Sequence, residues 1–262
     1  MKVEKVADYN AMSACGAEII YDAVVAKLSK GESFNLGLAT GNTMIELYRI
    51  LAEKFNNNHI DLSRLQTWNL DEYASDDHTV VPHDHPLSYW KYMHDNLFNH
   101  FLPERNFAEC QAHFPDPANP TKFDDALAAA GGLDLQLLGI GFNGHIAFNE
   151  PMEPQAISVK DFADLPSRVI ALKERTINAN AELTANGSRD LVPRFAATMG
   201  MRQILASKRE LLLACFAEQE EPLTKILADK SPTPFLPASY LLPHADFTLV
   251  YTADKINLDS VL

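Results

Sequence analysis

A chain of 262 residues, 47% hydrophobic and 22% charged, has the size and make-up of one soluble α/β unit with a shared core. Its formal net charge of −13 excludes a general nucleic-acid or anionic-membrane surface. It does not exclude a small anionic ligand, because a local pocket of backbone N–H groups outweighs a distant negative field. Cys15, Cys110 and Cys215 lie far apart and form no CxxC pair, which predicts reduced thiols. Met1–Cys15 carries charges where a signal peptide needs an apolar run, and no segment approaches membrane-spanning length, so a cytoplasmic protein is expected.

Apolar residues recur at three- and four-residue spacing over Ala11–Leu28, predicting an amphipathic helix that stops at Gly31. Phe34–Ala39 reads as a short buried strand that opens through Thr40-Gly41-Asn42-Thr43 into a helix over Met44–Phe55. Leu65–Leu70 is the next strand and ends at Asp71-Glu72-Tyr73. Ala74–Pro86, rich in Asp, His and Pro, is a loop, and helical spacing returns over Leu87–Phe101. After an irregular stretch, Ala108–Lys122, a helix over Phe123–Ala130 leads through Gly131-Gly132 to a strand over Leu133–Ile140. Later strands are expected at Arg168–Leu172, Glu210–Phe216 and Phe247–Tyr251, with helices over Val192–Ala206 and Pro222–Ala228. Strands that alternate with helices and are nearly all apolar predict a single α/β domain over residues 1–262, a mostly parallel sheet with helices on both faces. Three polar clusters, Thr40–Thr43, Asp71–Tyr73 and Gly141–Glu150, fall at predicted strand C-ends, where such sheets bind ligands.

Thr40, Gly41, Asn42 and Thr43 place two hydroxyls and helix-start N–H groups together, an arrangement suited to phosphate or carboxylate. The plainer alternative is a helix cap made by Asn42 or Thr43. A carboxylate leaving a buried strand, as Asp71 or Glu72 does, is a candidate general base because partial desolvation raises its pKa. In Gly139–Pro151, glycines at 139, 141 and 144 let the backbone turn tightly beside a ligand and expose N–H groups. His145 follows Gly144 and is the candidate proton-handling group; either Glu150 or Asn143 is placed to fix its tautomer. His78, His83 and His85 cluster among acids but match no common zinc spacing, so no metal site is expected.

These strings together resemble the glucosamine-6-phosphate deaminase/isomerase family, including its galactosamine-6-phosphate relatives. Leu36–Thr43, Asn69–Tyr73, Ser88-Tyr89 and Gly139–Pro151 stand in that family's order, and the likeness extends from about residue 10 to residue 252. The related 6-phosphogluconolactonases share the fold but differ after the histidine, so Asn149-Glu150-Pro151 points to the deaminase branch. The resemblance implies a modified Rossmann-like domain with no cofactor, acting on a small-molecule sugar phosphate. The implied reaction turns an aminosugar 6-phosphate and water into a ketose 6-phosphate and ammonia. In it His145 assists ring opening, oriented by Glu150 and Asn143; Asp71 moves the C2 proton to C1; and Glu72 helps shape the site.

Two positions depart from the family pattern. Glu182 stands where the resemblance implies an Arg for the phosphate, and Gln219 or a neighbouring acid stands where it implies a Lys. Either Arg175, Arg189, Arg194 or Lys225 substitutes, or the substrate is less phosphate-like. Arg168 matches one basic residue of the family's regulatory pocket, but Ile170 replaces a second, so activation by an N-acetylated sugar phosphate is not expected. A sugar-phosphate sensor without catalysis is the alternative from another class, since the same fold serves in some bacterial regulators. The chain permits a homo-oligomer and offers nothing local that sets one.

Overall fold

The computed structural model describes the backbone of residues 1–262 and every side chain except those of Arg175 and Leu183. In chain order the elements are β1 (Lys2–Val6), α1 (Tyr9–Leu28), β2 (Phe34–Leu38), α2 (Ile45–Asn57), β3 (Leu65–Asn69), β4 (Asp71–Ala74), α3 (Tyr89–Asn96), β5 (Ala112–His113) and α4 (Pro120–Ala129). They continue as β6 (Leu135–Gly139), α5 (Val159–Ala163), β7 (Arg168–Ala171), α6 (Glu174–Thr184), β8 (Phe195–Thr198), α7 (Met201–Leu205), β9 (Glu210–Ala214), α8 (Glu220–Asp229) and β10 (Phe247–Thr252).

Seven strands form a parallel sheet in the order β1-β10-β9-β6-β2-β3-β5. Every residue of β2, β9 and β10 is buried, so both faces of the sheet centre are covered, as parallel sheets require. A second sheet, β4-β8-β7, is antiparallel. Asp71-Glu72-Tyr73, expected as a strand end, begins β4 of this second sheet. Val192–Ala206, expected as one helix, holds β8 followed by the short helix α7. Gly200 between them admits no side chain, because an added Cβ would lie 2.1 Å from the Leu165 carbonyl oxygen. Four further elements were not expected: the charged, largely exposed edge strand β1, the two-residue β5, the short helix α5 and the helix α6.

One buried group is unfavourable at neutral pH. Glu210 opens β9, pairs in register with Gln136 and Phe247, and is fully buried. Neither carboxyl oxygen has a hydrogen-bond partner, and Gln136 Oε1 beside it is also unsatisfied. His244 Nδ1 lies 3.9 Å away and accepts the Asp246 N–H, while Nε2 faces the Ser207 carbonyl. Burial pushes the Glu210 carboxyl up to about 9. The folded state therefore holds this proton more tightly than the unfolded state, whose glutamates titrate near ~4.3. Its contribution to stability is complete below about pH 4 and is lost as pH rises towards 9. Glu210→Gln removes the ionisation and should stabilise the protein at pH 8 by about 1–3 kcal/mol. Urea midpoints of both proteins at pH 5 and pH 8 check this; the substitution should narrow the difference between the two pH values.

Candidate active site

The chain leaves β2 towards β3 on one side and reaches β9 from β6 on the other, so a cleft opens at the C-terminal ends of β2 and β6. Its cavity is lined by Thr40, Gly41 and Thr43 from the turn after β2, Asp71 from the start of β4, and Asn143 and His145 from the loop after β6. Asn42, Glu72, Gly144 and Glu150, also expected at the site, stand behind this lining.

The turn after β2 is held by two tyrosines. Gly41 adopts φ +101°, which few other residues tolerate, and its carbonyl accepts the Tyr92 hydroxyl at 2.7 Å. The Tyr9 hydroxyl donates to the Asn42 carbonyl at 3.0 Å and accepts the Glu46 N–H at 3.1 Å. Neither Asn42 nor Thr43 caps the following helix with its side chain. Thr43 instead accepts the Cys215 thiol at 3.7 Å.

Asp71 is set by the second sheet. It pairs across β4 and β8 with Thr198, which pairs in turn with Arg168 on β7, so the three residues form one cross-strand row. Asp71 Oδ1 accepts the Phe148 N–H at 3.2 Å, a donor shared with the Thr198 hydroxyl oxygen at 3.1 Å. Burial pushes the Asp71 carboxyl up to about 7; the Thr198 hydroxyl and the Phe148 N–H pull it down, the Glu72 charge pushes it up further, and the Arg168 charge opposes that. A carboxylate held near neutrality is suited to abstracting a proton from carbon.

Arg168 thus stands beside Asp71. Its guanidinium donates to Asn149 Oδ1 at 2.8 Å, and burial lowers its pKa. Glu72 does not line the cavity but helps shape it from behind. Its carboxylate accepts the N–H groups of Tyr73, Tyr89 and Trp90 at 2.8–2.9 Å and the Ser88 hydroxyl at 3.2 Å. It caps α3 and anchors Tyr89, whose side chain does line the cavity.

In the loop after β6, a Cβ on Gly141 would lie 2.2 Å from His145 Cε1, so only glycine lets the imidazole lie against the backbone there. Gly144 turns at φ +81° beneath Leu236. His145 Nδ1 lies 2.7 Å from Asn143 Oδ1, and Asn143 Nδ2 donates to Glu150 Oε2 at 2.8 Å. Glu150 is 3.9 Å from the ring and also accepts the Thr176 hydroxyl. Of the two orienting groups left open by the sequence, Asn143 makes the direct contact. Glu150 fixes which end of the carboxamide faces the ring, and this sets the proton on Nδ1 and the lone pair on Nε2. Thr176, Thr198 and Arg168 carried no local sequence signal, because their roles come from pairing with residues far away in the chain.

His78, His83 and His85 do not converge. His83 stacks on Trp90 at 4.1 Å, His85 Nδ1 accepts the Leu87 N–H at 3.1 Å, and His78 lies 3.3 Å from Asp77. Among the described residues no three metal-ligating side chains come together. No helix is long and apolar enough to cross a membrane among those residues.

Residues 7–250 match the family described as glucosamine-6-phosphate isomerases/6-phosphogluconolactonase. The chain is 36% identical over 256 residues to glucosamine-6-phosphate deaminase 2 of Bacillus subtilis (strain 168), covering 95% of this chain and 94% of that protein. It is also 36% identical over 252 residues to a glucosamine-6-phosphate deaminase of Clostridium acetobutylicum, covering 95% and 96%. Among solved structures, a monomeric glucosamine-6-phosphate deaminase superposes with a TM-score of 0.84 at 33% identity, covering 100% of both chains. The 6-phosphogluconolactonase from Trypanosoma cruzi superposes with a TM-score of 0.73 at 18% identity, covering 96% of this chain and 94% of that one, a likeness of fold alone. With the family match over residues 7–250 and relatives 36% identical over nearly all of both chains, this chain belongs to the glucosamine-6-phosphate isomerase/6-phosphogluconolactonase family.

Proposed function

We propose that this protein is an aminosugar-phosphate deaminase/isomerase, formed as one domain over residues 1–262. The observation that carries the assignment is Asp71, a buried carboxyl near 7 in the same cavity as an imidazole of fixed tautomer. Two thirds of the chain or more aligns with proteins named as such deaminases, which supports the same choice.

The residues divide the reaction between them. His145 Nε2 takes the proton of the C1 hydroxyl and passes it to the ring oxygen, which opens the sugar. The Asp71 carboxylate then takes the C2 proton from the open-chain aldehyde, and O1 of the resulting enolate takes a proton from solvent, giving an enolamine. Returned to C1, that proton leaves an iminium at C2. Water adds to the iminium carbon, ammonia leaves, and the ketose remains. Thr40, Gly41 and Thr43 stand beside the substrate as donors. Asn143, Glu150 and Thr176 are positioning residues that act through His145. All of these groups come from one chain, so a single protomer completes the site.

Ammonia release from glucosamine 6-phosphate and galactosamine 6-phosphate tests the activity and assigns the epimer. Asp71→Asn should abolish exchange of the C2 proton with solvent while sugar binding, followed by calorimetry, persists; exchange that survived would remove Asp71 as the base. Because the base must be ionised, kcat/KM should climb from pH 5 to pH 8 with a midpoint near 7, which a pH–rate profile reads directly. Asn143→Leu removes the acceptor at Nδ1 and should lower kcat by about 10²–10⁴-fold with little change in KM. Asn143→Asp restores an acceptor and should recover most of the rate.

A further inference from the structure

If the deaminase assignment just made holds, C2 of the sugar lies at Asp71, and the end of the cleft left for C6 is the one farther along the sheet. From β3 the order runs through β2 and β6 to β9, three inter-strand spacings of about 4.8 Å each. The far wall is therefore the loop after β9 together with its neighbour after β6. There Phe142 and Phe216 meet edge to face, with ring centroids 6.2 Å apart. Gln219 completes the wall, and both ends of its carboxamide are engaged by backbone. Oε1 accepts the N–H groups of Cys215 and Phe216 at 2.8 and 2.9 Å, and Nε2 donates to the Ile140 carbonyl at 2.8 Å.

No Lys or Arg lines the cavity among the described residues. The cations that the sequence offered as phosphate ligands are tied elsewhere. Arg189 and Arg194 both pair with Glu174, and Lys225 pairs with Glu221 at 2.6 Å. Arg175 lies outside the described side chains. Glu182 is exposed on α6, away from the lining. Beyond Phe142 the surface carries Glu218, Glu220 and Glu221 with the single cation Lys225, which is already paired with Glu221, so its net field opposes a dianion.

We propose that the 6-phosphate is a tolerated rather than a required part of the substrate, and that this enzyme deaminates the unphosphorylated aminosugar with a kcat/KM within about 100-fold of that for the 6-phosphate. The donors left for the C6 substituent are neutral: the hydroxyls of Thr40 and Thr43 and the backbone of their turn. Neutral donors satisfy a hydroxyl as readily as a phosphate oxygen. Two charge-assisted bonds to phosphate would separate the two sugars by about 10²–10⁴-fold in kcat/KM, and the described residues of the cavity supply neither.

The test measures kcat/KM for ammonia release by the full chain from glucosamine, galactosamine and their 6-phosphates. The expected preference for the phosphorylated sugar is below about 100-fold. A larger preference overturns the proposal and leaves the deaminase assignment standing, whereas no ammonia from any of the four sugars overturns the assignment and the proposal with it. Arg175→Ala should change both kinds of substrate equally; a loss confined to the 6-phosphates would identify a phosphate ligand and overturn the proposal. Glu220→Lys, which places a cation beside the far wall, should raise the preference for the 6-phosphate by about tenfold or more. An unchanged preference in that variant would mean that C6 does not face this wall, and would overturn the proposal as well.

Discussion

Leu70 belongs to both sheets at once, and the site depends on that. Its N–H donates to the Leu38 carbonyl at 3.0 Å, the last link of the parallel sheet between β2 and β3. Its carbonyl accepts the Met199 N–H at 2.6 Å, the first link to the second sheet. Within one residue the chain passes from a parallel ladder to an antiparallel one, and the next residue is Asp71. Its carboxylate thereby stands where a parallel strand ends in the cleft, while its backbone is clamped by β8. A loop residue at the same place would be freer to move and easier to solvate. Here the carboxyl is held at a fixed point and kept dry, and both effects favour a base that works near neutrality.

Three buried carboxylates near the cleft show how far surroundings decide role. Glu72 receives three backbone N–H groups and a hydroxyl, and so serves to fasten α3. Glu150 receives the Asn143 amide and the Thr176 hydroxyl, and serves to hold an imidazole through an intermediary. Asp71 shares one backbone N–H with Thr198 and has one face on the cavity. Of the three, Asp71 alone faces the cavity, and the proposed mechanism gives it the proton transfer, a division familiar wherever two carboxylates in one site do different work. Asn149 supports the arrangement from behind. Its amide donates to the Ile146 and Met199 carbonyls and its oxygen accepts from Arg168, so one side chain joins the histidine loop to the second sheet.

The strands of the parallel sheet centre were legible because each is a short, mostly apolar run between turn residues. So was the His145 loop, whose glycines, histidine and Asn-Glu-Pro string lie within a few residues of one another. What was hidden depends on distance along the chain. Asp71–Ala74 and Phe195–Thr198 become strands only by pairing with each other, and Phe195–Thr198 shares its local pattern with the helix that follows. Glu72 and Asp71 are adjacent acids with no difference in sequence context; alternation along β4 sends one to the cavity and the other to the α3 N-terminus. The contact between His145 and Asn143 was among the options, but the order Glu150, Asn143, His145 needed coordinates. Thr176 enters only because α6 folds back over the loop.

The two halves of the cleft are built to different standards. The proton-transfer half is tied by the row Asp71, Thr198 and Arg168, by Leu70 and by Asn149, so a change at any of these disturbs two sheets. The far wall rests on the loop after β9 and on one face of α6, elements whose outer side chains meet solvent or make exposed ion pairs such as Arg189 with Glu174. Gln219 stabilises its loop through backbone contacts alone, so the loop keeps its shape without any bound anion. A cation at this wall would be kept only if the substrate rewarded it, since it would otherwise be a charge to desolvate. The same chain can therefore preserve its chemistry in full while its far wall drifts towards a neutral substituent. That asymmetry fits a histidine loop with strong family likeness beside a far wall, one strand away, where no described side chain is a cation.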